Sequence, residues 1–360
     1  MLSQPARFIK ICTGGRYGHK IGLPCKRNPS RMHSVSKSGF ILCARHAIID
    51  VNGFRWQRRF PTKGGAIPLA AGAMRGGRMP SKNMENLREK RIYNMSAITQ
   101  AKRVVVKVGT STLTYENGKI NLRRMESLCK VLSDLQNSGR EIILVTSGAI
   151  GVGVGKLGLT ERPQETEKKQ ALAAVGQCEL MFMYDKFFGE YNCTVAQVLL
   201  TGDVVSSPHS KQNVINTFQE LIGMNIIPVV NENDTVAVDE LVGMQIGDND
   251  TLSAIVAKLT DADLLVILTD IDGLYDANPR ADSNAKRIPF VREVTPEVIA
   301  LAGGTGSNRG TGGMRTKVSA AAIANEAGIC CCVMSGANPK NLYHLFDGEQ
   351  IGTVFGTGKQ

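Results

Sequence analysis

The sequence predicts an α/β fold: a three-layer αβα sandwich around a mostly parallel, open sheet. Three observations carry this. Short runs of β-branched and aliphatic residues recur through 95–360, helical stretches separate them, and small or acidic residues follow several of the runs. Strands that are apolar on both faces belong to parallel sheets covered by helices on each side.

Taken in order, the first run is Val104 to Val108, ending at Gly109. An amphipathic helix over 122–137 follows, stopped by Ser138-Gly139. The second run is 141–146, ending at Ser147-Gly148. Further strands are expected at 194–200, 226–230, 264–268 and 328–334, with a last one at 351–355. Helices are expected at 168–188, 211–221, 251–259 and 315–327. About 265 residues fit one such domain, here 95–360.

Residues 1–94 are different. They hold 19 Lys and Arg against three acids (Asp50, Glu85, Glu89), net +16, whereas 95–360 carry 24 against 29, net −5. No period of 2 or 3.6 runs through the first segment. It reads as a basic, disordered extension, and the same composition suits an organelle transit segment or a basic arm for nucleic acid. Sparse aromatics (Phe40, Phe54, Trp56, Phe60) and the acidic body disfavour the last. Met84 and Met95 offer alternative starts, which would leave part of this segment outside the working protein.

Other classes are excluded or disfavoured. No stretch approaches the ~18 apolar residues of a spanning helix. Nine Cys without a CxxC pair suit reduced thiols and a cytoplasmic location. Cys330-Cys331-Cys332 is expected to be buried filler, because successive strand residues face opposite ways and cannot share one ion. No metal ligands are expected. His209 and His344 are isolated.

Ligands of such sheets collect beyond the C-terminal strand ends. There stand Gly109-Thr110-Ser111, Ser147-Gly148-Ala149, Asn231-Glu232-Asn233-Asp234 and Thr269-Asp270. Four such clusters on one rim point to a polar, phosphate-bearing ligand. The stretch 303–317, GGTGSNRGTGGMRTK, leads into an Ala-rich helix. Glycine backbone N–H groups, a helix N-terminus and Lys317 together suit phosphate oxygens. It is not a Walker A loop, because Thr316 stands where that motif needs Gly. Gly153-x-Gly155-x-x-Gly158 matches a dinucleotide pattern but begins too far beyond its strand. Gly247-Asp248-Asn249-Asp250 opens a helix, where one acid suffices as cap. Lys107 lies in an otherwise apolar strand, where an unpaired charge is costly, so a function is expected.

The segments KVGTSTL, VTSGAI, ALAAVGQ, VNENDTV, GDNDTLSA, LTDIDGLY and GTGGMRTK, in this order, resemble the amino-acid kinase family. Within it they resemble the branch that phosphorylates the γ-carboxylate of L-glutamate with ATP, the first step of proline biosynthesis. The match covers about 103–356. Many members add a C-terminal PUA domain, which is not expected here. By the resemblance, Lys107 and Lys317 neutralise the transferring phosphoryl group and Asp250 organises them, with Asp248 as a second partner. Ser147, Asp234 and Asn249 bind the glutamate. Lys107, Gly109, Thr269, Asp270, Thr311, Gly312, Gly313, Met314, Arg315, Thr316 and Lys317 bind ATP, and Gly148 offers a backbone N–H. The resemblance further implies Mg²⁺ held through nucleotide phosphates, inhibition by L-proline near the glutamate site, and a dimer or dimer of dimers. Kinases of other small acids are the near alternative; a ligand sensor or nucleic-acid binder is the remote one.

The residues make chemical sense on this reading. A side-chain carboxylate is already ionised at pH 7, so no general base is needed. The barrier lies in bringing two anions together, which two lysines and backbone amides answer.

Overall fold

The computed structural model describes residues 95–360 apart from 237–247, 280, 304–312 and 357–360. The basic segment 1–94, and Thr311 and Gly312 of the glycine-rich loop, lie outside the described residues.

The strands are β1 (Arg103–Val108), β2 (Glu141–Val145), β3 (Val195–Leu200), β4 (Ile227–Glu232), β5 (Leu264–Thr269), β6 (Phe290–Val291), β7 (Cys330–Ser335) and β8 (Thr353–Phe355). They form one sheet in the order β3-β4-β2-β1-β5-β7-β8-β6. Every pairing is parallel except β7 with β8. β1 therefore lies inside the sheet, between β2 and β5, with Lys107 opposite Val145 on one side and Ile267 on the other.

The helices are α1 (Thr110–Leu113), α2 (Leu122–Asn137), α3 (Ala149–Leu157), α4 (Thr166–Gly189), α5 (Gly202–Ser206), α6 (Pro208–Gly223), α7 (Asn249–Leu259), α8 (Pro296–Leu301), α9 (Met314–Glu326) and α10 (Asn341–Phe346). Local chemistry fixes their starts. The Asn121 side chain accepts from Arg124 N at the head of α2, and Ser207 does the same for Ser210 N before Pro208.

The two faces of the sheet make two separate cores. Val104, Val106 and Val108 pack with Leu128 and Leu132 of α2 and Leu180, Tyr184 and Phe188 of α4. Val105 faces the other way, into a core with Leu252 and Val256 of α7 and Val318 and Ala321 of α9. Because side chains alternate along a strand, Lys107 shares the face of Val105 and is aimed at the α7–α9 layer. The three consecutive cysteines obey the same rule. Cys330 and Cys332 enter the first core and Cys331 the second. Burial pushes the Cys330 thiol up to about 12, so it stays protonated. Among the described residues no group of His, Cys, Asp or Glu is placed to hold a metal ion.

The largest departure from the expected elements is α3, where the glycine pattern Gly153-x-Gly155-x-x-Gly158 lies. Its glycines serve packing. A Cβ on Gly153 would stand 2.1 Å from Leu172 O of α4, and one on Gly155 would stand 2.4 Å from Gly118 C. Gly158 ends the helix in the left-handed conformation at φ 66°. Helix propensity is poor in such a segment, and tertiary contact overrides it. β6 has two residues, too few to show a period.

Candidate active site

Lys107, Asp250 and Lys317 come from three elements and meet inside the α7–α9 layer. Lys107 points there from β1. Asp250 occupies the first turn of α7. Lys317 occupies the first turn and a half of α9. Lys107 Nζ is 2.6 Å from Asp250 Oδ1, and Lys317 Nζ is 3.0 Å from Asp250 Oδ2. The three are buried, at 7%, 1% and 6% exposure.

Asp250 is held firmly. Asp248 caps α7, its Oδ1 accepting from Asp250 N at 2.7 Å and Thr251 N at 2.8 Å. That work is structural: Asp248 fixes the backbone that carries Asp250. Thr316 Oγ1 lies 2.7 Å from Asp250 Oδ2. Burial alone would raise the Asp250 pKa, but the two ammonium groups and the Thr316 hydroxyl hold it below the ordinary carboxylate range. Burial pulls the Lys107 pKa down, the second ammonium at Lys317 works in the same direction, and Asp250 opposes both.

The other expected residues line the same rim of the sheet. Gly109 heads α1 just beyond β1. A Cβ there would touch Lys107 Nζ at 3.7 Å, so its absence keeps the approach to the ammonium clear. Ser147 follows β2. Its hydroxyl donates to Val108 O at 3.1 Å and lies 3.4 Å from Thr110 Oγ1. Gly148, at φ 95°, turns the chain from Ser147 into α3. Thr269 ends β5; its hydroxyl donates to Asp270 Oδ1 at 3.1 Å, and its carbonyl accepts from Gly336 N at 2.7 Å. Asp234 follows β4 and is half-buried. Gly313 caps α9, followed by Met314, exposed Arg315 and Thr316.

Asn249 opens α7 beside this cluster. Its Oδ1 is buried, with no hydrogen-bond partner among the described residues. An orphaned acceptor of this kind is costly unless a ligand donor completes it.

Ion pairs and a hydrogen bond join Lys107, Asp250, Lys317 and Thr316 in one network. Ser147, Asp234, Thr269 and Asp270 stand at or just beyond the C-terminal ends of the parallel strands β2, β4 and β5. Sequence reasoning did not single out the hydroxyl of Thr316 as a partner of Asp250. It also missed the amide of Gln177, whose Oε1 accepts from Asn231 Nδ2 at 2.9 Å at the end of β4. Both pairs join positions far apart in the chain, and only the Asn231 cluster gave a local signal.

The model of the family described as "Amino acid kinase family" matches residues 102–335, a span that contains all of this network. The chain belongs to the amino acid kinase family. Three of the curated relatives named Glutamate 5-kinase illustrate the match. That of Clostridium perfringens is 56% identical over 260 residues, covering 72% of this chain and 97% of the relative. That of Listeria monocytogenes serovar 1/2a is 55% identical over 265 residues, covering 73% and 96%. That of Moorella thermoacetica is 51% identical over 259 residues, covering 72% and 68%. Among solved structures, UMP kinase from Ureaplasma parvum matches with a TM-score of 0.51 at 13% identity, over 71% of this chain and 99% of that one, which shows a shared fold. Lys107 stands one residue before the carboxyl end of β1, and Lys317 meets the same carboxylate from α9, near the edge where an open α/β sheet takes its ligand.

Proposed function

We propose that this protein transfers the γ-phosphoryl group of ATP to the γ-carboxylate of L-glutamate, giving L-glutamyl 5-phosphate and ADP in proline biosynthesis. The observation that carries the transfer is the seating of two ammonium groups on the two oxygens of one buried carboxylate. The choice of glutamate is supported by relatives named Glutamate 5-kinase at 51–56% identity.

A substrate carboxylate oxygen attacks the γ-phosphorus as the bond to the β–γ bridging oxygen breaks, and ADP leaves with that electron pair. Lys107 and Lys317 turn from Asp250 onto the phosphate oxygens and neutralise charge as it spreads. Asp250 keeps them aligned in the empty enzyme. Asn249 Oδ1 accepts from the substrate's ammonium, with Asp234 and Ser147 completing its binding. Thr269, Asp270 and the 311–317 stretch take the nucleotide, and Gly109 lets its phosphates approach. No proton has to be removed, since the nucleophile is already an anion at pH 7.

Both oxygens of Asp250 are engaged by Lys107, Lys317 and Thr316. That donor set suits a Mg²⁺ held by the nucleotide phosphates, where it would add to their neutralisation.

Residues 95–360 form the kinase and 1–94 add nothing to its chemistry. L-proline competes with glutamate, and the protein works as a homo-oligomer in the cytoplasm. Among the described residues no helix is long and apolar enough to cross a membrane.

The test is ADP release with Mg²⁺ and each acceptor in turn. We expect turnover with L-glutamate and little with aspartate, N-acetylglutamate or carbamate; preference for one of the others reassigns the acceptor. Titrating L-proline, light scattering, and removal of 1–94 with unchanged turnover test the remaining points.

A further inference from the structure

We propose that Thr316 is a positioning residue for Asp250: its hydroxyl holds the carboxylate while the lysines are engaged with phosphate. The proposal rests on the phosphoryl-transfer reading above and adds a role to a residue otherwise grouped with the nucleotide loop.

Thr316 Oγ1 has two acceptors in reach, Asp250 Oδ2 at 2.7 Å and Gly313 O at 2.9 Å. A hydroxyl carries one hydrogen and donates once. An ionised carboxylate is the stronger acceptor, so the bond falls to Asp250. Oδ2 then holds two donors, this hydroxyl and the Lys317 ammonium at 3.0 Å. Gly313 O is left to Lys317 Nζ, which reaches it at 3.4 Å.

The two donors to Oδ2 differ in reach. Lysine has a long, flexible stem and can leave for a phosphate. Threonine is β-branched, its one side-chain torsion is restricted in a helix, and its backbone is fixed in the first turn of α9. When both lysines turn to ATP, Asp250 would otherwise be a nearly inaccessible anion with its partners drawn away, which is costly. The Thr316 hydroxyl remains on it. The carboxylate stays ionised and in place, ready to receive the lysines again after ADP leaves. The same hydrogen bond contributes to the low pKa of Asp250.

The full chain with Thr316→Val, Thr316→Ala and Thr316→Ser tests this. Val and Ala lose the hydroxyl; Ser keeps it. Should the Val form fail to fold, Ala carries the comparison with Ser. We expect Val and Ala to lower kcat roughly ten- to a hundredfold, with KM for ATP and glutamate within about twofold, and Ser to stay near the unmodified enzyme. The acid limb of kcat should move to higher pH in Val and Ala and not in Ser. A raised KM for ATP at unchanged kcat would give the Thr316 hydroxyl to the nucleotide rather than to Asp250 and overturn the proposal. So would a Ser variant as impaired as Val. Acid unfolding followed by circular dichroism needs no substrate: its midpoint should rise in Val and Ala only, and an unmoved midpoint in both counts against the role. Unmodified protein without glutamate-dependent ADP release sinks the choice of acceptor, and the acid-unfolding comparison still decides on Thr316.

Discussion

Lys107 and Lys317 hold opposite oxygens of the same carboxylate, one from the middle of the sheet and one from the helix that follows the glycine-rich loop. Replacing either with Met keeps the length of the side chain and removes its charge. We expect each change to lower kcat by about 10²–10³. Breaking a buried pair also destabilises, by ~3–5 kcal/mol, so a denaturant melt must accompany the assay. A folded K107M or K317M protein with near-normal kcat would remove the lysines from the chemistry.

The alkaline limb of the pH profile should report Lys107. Its pKa is lowered by burial, so kcat/KM for ATP should decline at a lower pH than the ~10.4 of an ordinary lysine. A profile flat beyond that value would contradict the burial argument.

Asp250 governs the acid side of stability. Its folded pKa lies below its unfolded value, so its contribution is fully present above the unfolded pKa, ~4, and is lost as pH falls through the folded value. Urea midpoints between pH 6 and 2 should therefore fall more steeply for the unmodified protein than for Asp250→Asn. Parallel profiles would show that this carboxylate carries no such linkage.

Asn249 presents a buried acceptor with no partner among the described residues. Asn249→Ala should raise KM for glutamate roughly ten- to a hundredfold, the scale of a hydrogen bond to a charged group, and leave KM for ATP near its starting value. An equal rise for both substrates would place Asn249 elsewhere in the mechanism.

Helices α3 and α4 touch through backbone. A Cβ on Gly176 would lie 1.8 Å from Ala149 O and 2.6 Å from Gly153 N. Gly176→Ala must push the helices apart, and we expect calorimetry to show Tm lower by roughly 5–10 °C. Because α3 follows Ser147 and Gly148 directly, glutamate binding should weaken as well. An unchanged Tm would mean that the two helices slide freely.

Much of this was legible in sequence because the physics was local. Runs such as Val104 to Val108 are apolar on both faces, and only a covered strand is. Lys107 stood out as the charge in that run, and period-2 alternation assigns it a side of the sheet. Asp248 was legible as a cap, though not as the residue that fixes the backbone of Asp250. Helix α3 was not, because glycines that favour loops were selected by contact with α4 and with Gly118. The bond from Thr316 to Asp250 was not either, since it depends on how α7 and α9 lie side by side. The order of β8 and β6 beyond β7 is likewise a tertiary choice that two- and three-residue strands do not announce.

The division of Cys330, Cys331 and Cys332 between opposite faces of β7 has a practical consequence. Adjacent thiols there report on different halves of the molecule. An alkylating reagent on the native body meets Cys178 at the surface, while these three are shielded. Mass mapping of partly labelled protein would then time the loosening of each half: modification of Cys331 marks the lysine-bearing side, and modification of its two neighbours marks the other.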